Sequence, residues 1–307
     1  MSNQTFQLPA FAKINLYLRI LGKRSDGFHE IETIFQTVSL CDRLSFKESD
    51  QIVLTCNDAQ IPTNESNLIV RAARLLQKRY GTKRGALVHL EKNIPAPGGL
   101  GGGSSDAAIA LLGLAKLWNI KPRFEELCET GAELGADVPF FLYGGTAFGS
   151  GRGTTLSRIE DEYTEKFLLI VTPNAFVSTA FAYAQVKARN LTNFSSKSIL
   201  QICRETGEKL DLQQLSLKND FEAIVFNIEP EVRRVKEKLL EIGASRALMS
   251  GSGASVFGIF DNENLRQAAL RLLEAERGWR KFAVSPVSSQ EYRKFLAPCA
   301  DFLPKVF

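Results

Sequence analysis

A glycine-rich segment constrains this chain of 307 residues more than any other stretch. Five glycines fall within residues 98–103, and a Ser-Ser-Asp sequence follows at 104–106. Glycine gives the backbone access to positive φ and lets a ligand reach main-chain N–H groups without a Cβ in the way. The Ser-Ser-Asp sequence predicts the N-cap of a helix over 107–118. A glycine turn that leads into a helix N-terminus offers N–H donors and a positive dipole end, so the segment predicts a polyphosphate site.

The amino-acid sequence of this loop excludes two common nucleotide-binding motifs. The segment contains no Gly-x-x-x-x-Gly-Lys-Ser/Thr, which excludes a Walker loop, and no Gly-x-Gly-x-x-Gly, which excludes the dinucleotide fingerprint. A flexible surface loop is the alternative interpretation. A linker, however, need not lead directly into a nearly all-apolar helix, so phosphate binding is favoured.

Composition removes several other functions. A net charge of +4 gives no reason to expect a nucleic-acid partner. With only His29 and His89, a histidine-rich metal site is not expected. The five scattered cysteines include no C-x-x-C and indicate reduced thiols in a cytoplasmic protein. No apolar run approaches about 18 residues and the N-terminus has no charged-then-apolar leader, so we expect neither a membrane span nor secretion.

The N-terminal region offers two groups of candidate binding residues. Apolar and polar residues alternate over 10–21, which predicts a strand with Lys13 and Asn15 on one face, ~6.6 Å apart. This pair could hold an anionic group, although an ordinary solvent-exposed strand face would show the same alternation of residues. Phe28 and His29 directly follow the turn dipeptide at 26–27. They could hold a planar base between them or fill the core beneath the loop.

Asp137 is the most unusual carboxylate in the sequence. It follows a predicted helix over 123–134 and stands between Ala136 and Val138, with more apolar residues beyond. Such flanks are a poor environment for an exposed carboxylate. Asp137 could cap a helix that begins at Val138-Pro139, and a capping role does not exclude a catalytic one.

The order of predicted elements favours an α+β fold with mixed or antiparallel sheets over a doubly wound sheet. Composition shifts after residue 153 and predicts a domain boundary near 155. Beyond it we expect helices at 178–188 and 196–204, a third glycine turn at 250–253 and an extended tail. That third turn could approach another backbone or a phosphate.

Three segments together resemble the GHMP kinase superfamily. They are Lys13-Ile14-Asn15, Pro95-x-x-x-Gly99-Leu100-Gly101-Gly102-Gly103-Ser104-Ser105 and Ser250-Gly251-Ser252-Gly253. The resemblance implies an ATP-dependent kinase with an ATP-binding domain over 1–155, a substrate-binding domain over 156–307 and the active site in the cleft between them. We expect a monomer or weak homodimer that takes a small-molecule substrate.

The resemblance also implies roles for single residues. Asp137 would be the general base and Lys13 its charged partner, while Asn15 would hold substrate or a phosphate. Ser105, or its neighbour Ser104, would lie near Mg²⁺. The residues implied for ATP are Pro95, Ala96, Pro97, Gly98, Gly99, Leu100, Gly101, Gly102, Gly103, Ser104, Ser105 and Asn67.

The sequences at 12–16, 26–29 and 135–141 are most similar to superfamily members whose substrate is a methylerythritol linked to cytidine diphosphate. Phe28 would then stack on the cytosine and His29 would hydrogen-bond to it, with Tyr183 or Phe181 on the other face. These members often have Tyr where this chain has Phe28, a change that keeps stacking and loses a phenolic hydrogen bond. Homoserine or mevalonate kinases, and a non-catalytic nucleotide-binding regulator, are the alternatives.

Overall fold

Two long strands that pair along most of their length form the centre of the fold. The computed structural model describes residues 5–159, 167–186 and 217–304. In it β1 spans Phe6–Lys23 and β2 spans His29–Ser49, joined by the 24–28 turn. Their antiparallel register shifts at three places, one of them between Asn15 and Tyr17. The alternation over 10–21 therefore predicted the strand correctly.

The other described strands are shorter. They are β3 (Ile52–Cys56), β4 (Gly85–Glu91), β5 (Thr146–Ser150), β6 (Thr155–Arg158), β7 (Phe167–Pro173), β8 (Lys218–Asn219), β9 (Arg246–Met249), β10 (Val256–Phe260) and β11 (Trp279–Val284). The first sheet has the order β3-β4-β2-β1-β8, and β5 joins β2 to β6. The second sheet, β11-β7-β10-β9, is entirely antiparallel, whereas β8 runs parallel to β1 and β3 parallel to β4. The predicted α+β fold with mixed and antiparallel sheets is confirmed.

Helices cover both sheets. The described ones are α1 (Leu68–Tyr80), α2 (Gly102–Leu117), α3 (Phe124–Leu134), α4 (Phe140–Tyr143), α5 (Thr179–Ala184), α6 (Glu222–Ile228), α7 (Pro230–Glu241), α8 (Glu263–Leu272) and α9 (Ser289–Phe295). None of these helices combines the length and the apolar character that a membrane crossing needs. The helix predicted at 178–188 is shorter than expected, and the one predicted at 196–204 lies outside the described residues.

Helix α2 is the buried axis of the first domain. Nearly all of its side chains pack in a core with α1, α3 and the first sheet. The helix begins at Gly102, with Gly101 as its N-cap at φ +71°. The prediction that residues 104–106 form the N-cap is therefore wrong. A left-handed glycine lets the loop turn directly into the helix, which places these three residues inside its first turns.

Strand β1 is buried on both faces. Ala12, Ile14 and Leu16 pack against Leu168 and Ile170 of the second sheet, so this face joins the two halves of the molecule. Lys13 and Asn15, on the opposite face, are only 3 % and 1 % exposed. The alternative of a solvated strand face is thereby excluded.

The C-terminal segment is helical, so the expected extended tail is wrong. Ser288 and Glu291 form a reciprocal capping box that starts α9, and a 3-10 helix follows at Ala297–Phe302. Tyr292 is fully buried in the core of the first domain, where its hydroxyl donates to the Phe141 carbonyl at 2.5 Å. The chain thus returns to its N-terminal half after the second sheet. The domain boundary near 155 stays a prediction.

Candidate active site

The ammonium group of Lys13 joins three parts of the molecule. Its Nζ lies 2.6 Å from Asn15 Oδ1, 3.0 Å from the Gly99 carbonyl oxygen and 3.5 Å from Asp137 Oδ2. Three acceptors match the three protons of an ammonium group. Burial lowers the pKa of Lys13, and the charge of Asp137 opposes that fall. The structure therefore brings the two predicted catalytic residues together.

Asn15 is fixed from the other side. Its Nδ2 donates to Thr33 Oγ1 at 2.7 Å, and that hydroxyl donates to the Tyr17 carbonyl at 2.7 Å. The amide oxygen is thus oriented toward Lys13, which restrains the ammonium group in one place. Within this buried group each polar atom has a defined partner, so the site is organised before any ligand arrives.

Close approach of backbones explains two of the loop glycines. A Cβ on Gly99 would lie 2.2 Å from the Ser250 carbonyl oxygen, and Gly99 has φ +71°. A Cβ on Gly101 would lie 2.7 Å from the Phe141 ring, also at φ +71°. Neither position has room for a side chain. The loop is therefore packed on both sides, which contradicts the flexible-linker alternative.

The third glycine turn supports the first loop directly. In this turn, Ser250–Ser255, the Ser250 Oγ donates to the Gly99 carbonyl at 3.0 Å and the Ser255 N–H donates to the Gly98 carbonyl at 3.1 Å. The sequence left open whether this turn meets a backbone or a phosphate. The structure shows that it meets the backbone of the loop.

A buried group of charges lies beneath the other end of the loop. Lys92 Nζ bonds to Asp42 and lies 3.1 Å from Asp106 Oδ2 in α2. The second oxygen of Asp42 accepts the N–H groups of Asn93 and Ile94 at 2.6 and 2.7 Å. Burial raises the pKa of the Asp106 carboxyl well above its usual value, with Lys92 opposing the rise. This group ties the strand before the loop to the helix after it.

The cleft has two adjoining compartments. The first, of about 430 Å³, is named the phosphate compartment after the role predicted for its loop, and it is lined by Lys13, Asn15, Asp137 and the loop from Pro95 to Ser104. The aromatic compartment, about 730 Å³, is lined by side chains that include Phe28, His29 and Lys23. Both compartments are lined by Ala136, Arg152, Thr179 and Tyr183. Asp137 directly follows Ala136, so the carboxylate stands where the two compartments meet.

Ring contacts hold the aromatic compartment together. The rings of His29 and Tyr183 stack with centroids 4.9 Å apart, and Tyr183 meets Phe221 edge-on at 4.7 Å. Burial lowers the pKa of His29 from its ordinary value, and the nearby Lys23 lowers it further. Burial raises the pKa of the Tyr183 phenol, and the charge of Asp137 raises it further. The imidazole is therefore neutral at pH 7 and retains one donor and one acceptor nitrogen.

Arg152 is a candidate that the sequence analysis missed. Its guanidinium lies 3.5 Å from the centroid of the Phe28 ring. Its Nε is buried and has no hydrogen-bond partner among the described residues. The signal in the sequence was an arginine between two glycines, and Gly151 and Gly153 both have positive φ.

The structure defines the surroundings of four further predicted residues. Ser104 lines the phosphate compartment, whereas Ser105 is fully buried in α2 and its Oγ has no hydrogen-bond partner in the described structure. Asn67 caps α1, with its Oδ1 accepting the Ile69 N–H at 2.9 Å. Asp137 does not cap α4, because that helix begins at Phe140 with Pro139 as its N-cap and has no side-chain cap.

Two family models match the chain. The model for the GHMP kinases N terminal domain matches residues 67–145, and the model for GHMP kinases C terminal matches residues 200–277. The structure is also similar to a solved homoserine kinase from Cytophaga hutchinsonii, with a TM-score of 0.65 at 18 % identity over 95 % of this chain and 97 % of that one. At this identity the similarity concerns the fold alone.

Proteins with higher sequence identity to this chain share one enzyme name. A 4-diphosphocytidyl-2-C-methyl-D-erythritol kinase of Syntrophotalea carbinolica is 41 % identical over 287 residues, which cover 93 % of this chain and 99 % of the relative. The corresponding kinase of Thermoanaerobacter pseudethanolicus is 40 % identical over 85 % of this chain and 90 % of its own. A crystal structure of 4-(cytidine 5'-diphospho)-2C-methyl-D-erythritol kinase matches with a TM-score of 0.75 at 32 % identity, covering 92 % of this chain and 99 % of that one. The chain therefore belongs to the GHMP kinase family, among its 4-diphosphocytidyl-2-C-methyl-D-erythritol kinases.

Proposed function

We propose that this protein transfers the γ-phosphoryl group of ATP to the 2-hydroxyl of 4-diphosphocytidyl-2-C-methyl-D-erythritol, a step of the non-mevalonate route to isoprenoid precursors. The observation that carries this proposal is the ion pair between Lys13 and Asp137 at the junction of the two compartments. A phosphoryl donor on one side and an alcohol on the other would meet at that carboxylate.

The phosphate compartment suits ATP. The loop from Gly98 to Gly103 leads into the N-terminus of α2, where backbone N–H groups and the positive end of the helix dipole face an anion. Mg²⁺ would be held by the phosphates together with the hydroxyl of Ser104 or Ser105, because hydroxyl and phosphate oxygens suit this hard cation. Ser104 lines the compartment and Ser105 is fully buried, so the Ser104 hydroxyl fits this role better. When bound, the cation would neutralise phosphate charge.

The reaction needs a base and a positive charge at one point. The 2-hydroxyl oxygen forms a bond to the γ-phosphorus, the bond from that phosphorus to the β–γ bridging oxygen breaks, and ADP leaves. The hydroxyl proton passes to the Asp137 carboxylate. The Lys13 ammonium, held by Asn15 and Gly99, stabilises the negative charge that develops on the transferred group.

The aromatic compartment suits the cytidine diphosphate portion of the substrate. Phe28 is 49 % exposed and lines the compartment together with Tyr183, so a base can pack on these rings. Neutral His29 can donate one hydrogen bond and accept another from the base edge. Arg152 lines both compartments, and its guanidinium can pair with the diphosphate that joins base and alcohol.

The test is ATP turnover by the purified protein with Mg²⁺, with and without 4-diphosphocytidyl-2-C-methyl-D-erythritol. Homoserine and mevalonate serve as control acceptors, and the phosphorylated product is identified by mass. We expect turnover with the cytidyl substrate alone. Turnover only with another alcohol would discard the cytosine site and keep the phosphate compartment. ATP binding without turnover on any acceptor would contradict the kinase assignment and favour a regulator.

A further inference from the structure

Asn219 lies outside the catalytic group, yet its side chain is completely engaged. It belongs to the two-residue strand β8, which pairs with Tyr17 and Leu18 of β1, and it is 5 % exposed. Its Nδ2 donates to the carbonyl oxygens of Met249 and Gly251, both at 2.7 Å. Its Oδ1 accepts the N–H of Phe221 at 3.0 Å. Buried amides that are fully satisfied in this way fix the backbones that they contact.

The two carbonyls that Asn219 contacts flank Ser250, the residue that supports the phosphate loop. Ser250 Oγ donates to the Gly99 carbonyl, which also accepts from Lys13 Nζ. Gly251 has φ +57°, and a Cβ there would lie 3.3 Å from Lys13 Nζ. Glu222 holds the same turn through the Met249 N–H at 2.9 Å. A shift of this turn would therefore reach both Gly99 and Lys13.

We infer that Asn219 is a positioning residue that sets the phosphate loop for ATP through the Ser250–Ser255 turn. The inference rests on the proposed kinase function. It adds a residue from the second half of the chain to the residues that this function uses. The amide N–H groups of Asn219 hold the turn, and the turn contacts the phosphate loop. The amide oxygen of Asn219 accepts the N–H of Phe221, whose ring packs edge-on against Tyr183, and Tyr183 lines both compartments. The donors of this side chain thus hold the turn behind the phosphate loop, whereas its acceptor holds a residue next to the boundary between the compartments.

Asn219→Asp separates these two connections. Aspartate has the same shape and keeps an oxygen for the Phe221 N–H, but it loses both donors and places a carboxylate oxygen against two carbonyls. We expect the KM for ATP to rise roughly 10- to 100-fold, as two lost hydrogen bonds and a new repulsion imply. The KM for the cytidyl substrate should change less than about threefold. Asn227→Asp is the matched control, because Asn227 is exposed on α6 and should leave both constants unchanged.

A double-mutant cycle tests the path. Ser250→Ala removes the hydroxyl bond to Gly99 and should itself raise the KM for ATP roughly 3- to 10-fold. If Asn219 acts through the turn, Asn219→Asp should add much less in the Ser250→Ala background than in the wild type. Additive effects, or equal increases in both KM values, would overturn the inference. If Asn219→Asp does not fold, Asn219→Ala replaces it, with a larger rise in the KM for ATP than for the substrate still required.

The design separates this inference from the proposed function. Wild-type turnover with the cytidyl substrate tests the function, and it is measured first in the same assay. Binding of a non-hydrolysable ATP analogue by calorimetry needs no acceptor, so weaker binding by Asn219→Asp would support the inference whatever the acceptor is. Unchanged analogue binding together with a lower melting temperature would show that Asn219 only stabilises the fold, and would contradict the inference.

Discussion

The two compartments of the cleft are built in opposite ways. In the phosphate compartment Lys13 and Asn15 are almost completely buried, and their polar atoms are bound to one another or to backbone. In the aromatic compartment Phe28 is 49 % exposed and lies in a turn, and the Arg152 guanidinium lies over its ring. Ion pairs and hydrogen bonds hold the phosphate compartment, whereas contacts between aromatic rings form the aromatic compartment.

This difference matches the work that each half is proposed to do. Phosphoryl transfer needs groups that are already oriented, because reorienting dipoles in the transition state raises the barrier. Recognition of a base needs broad contact surfaces that tolerate small adjustments. Changes in the phosphate compartment should therefore affect several residues at once and be non-additive, whereas changes in the aromatic compartment should be smaller and independent.

The largest expected effect comes from Asp137→Asn. The amide keeps the shape but cannot accept the proton, so kcat should fall about 10²- to 10⁴-fold. ATP binding should stay almost intact, because Lys13 keeps its contacts with Asn15 and Gly99 when residue 137 is an amide. Turnover is measured by product formation and ATP binding by calorimetry, with the exposed Asp261→Asn as control. An unchanged kcat would remove Asp137 from the role of base.

Lys92→Met tests the rigidity of the phosphate compartment. It leaves Asp42 and Asp106 buried without their cation, and breaking one side of a buried charge group costs about 3–5 kcal/mol. Urea denaturation should show a loss of that size. Lys47→Met, at an exposed position of the same sheet, should lie within about 0.5 kcal/mol of wild type. Equal stability of the two variants would mean that this group does not hold the loop.

Phe28→Ala tests the aromatic compartment. Loss of one ring from a base-stacking site costs about 1–3 kcal/mol, so the KM for the cytidyl substrate should rise about tenfold. The KM for ATP should not change, because Phe28 does not line the phosphate compartment. Phe28→Tyr keeps the ring and should match wild type in steady-state kinetics. A parallel rise in both KM values would show that Phe28 supports the structure rather than the substrate.

The sequence predicts the phosphate compartment well because its signals are local. The glycine run, the alternation that pairs Lys13 with Asn15, and a carboxylate with apolar flanks each lie within a few positions. What the sequence does not show is that Lys13 reaches Gly99, 86 positions later, and that Ser250 meets the same carbonyl from 151 positions away. Pairing of that kind depends on tertiary packing, which periodicity does not encode.

Other misses have identifiable causes. The capping box of Ser288 and Glu291 was readable and predicts a helix where an extended tail was expected. In contrast, the burial of Tyr292 against Gly144, where a Cβ would lie 2.2 Å from the ring, follows only from how the chain returns to the first domain. The role inferred for Asn219 belongs to the same class. Its two carbonyl partners are 30 and 32 positions away, and β8 has only two residues.

The smallest expected effect is a pH dependence of substrate affinity at His29. Burial and the charge of Lys23 lower its pKa from the ordinary value of a histidine, so the imidazole is neutral at pH 7.5 and becomes charged only as the pH falls. The charged ring loses its acceptor nitrogen and is repelled by Lys23, and one lost hydrogen bond corresponds to a roughly 3- to 10-fold weaker affinity for the cytidyl substrate.

The affinity for the cytidyl substrate is measured by calorimetry between pH 7.5 and 5. ATP is left out so that titration of its phosphates does not contribute. His29→Gln should remove the pH dependence of the affinity. The control is His89→Gln, which changes the only other histidine of the chain, exposed on β4, and should keep the pH dependence. A profile that persists in His29→Gln would assign the titration to another group and leave the aromatic compartment with stacking alone.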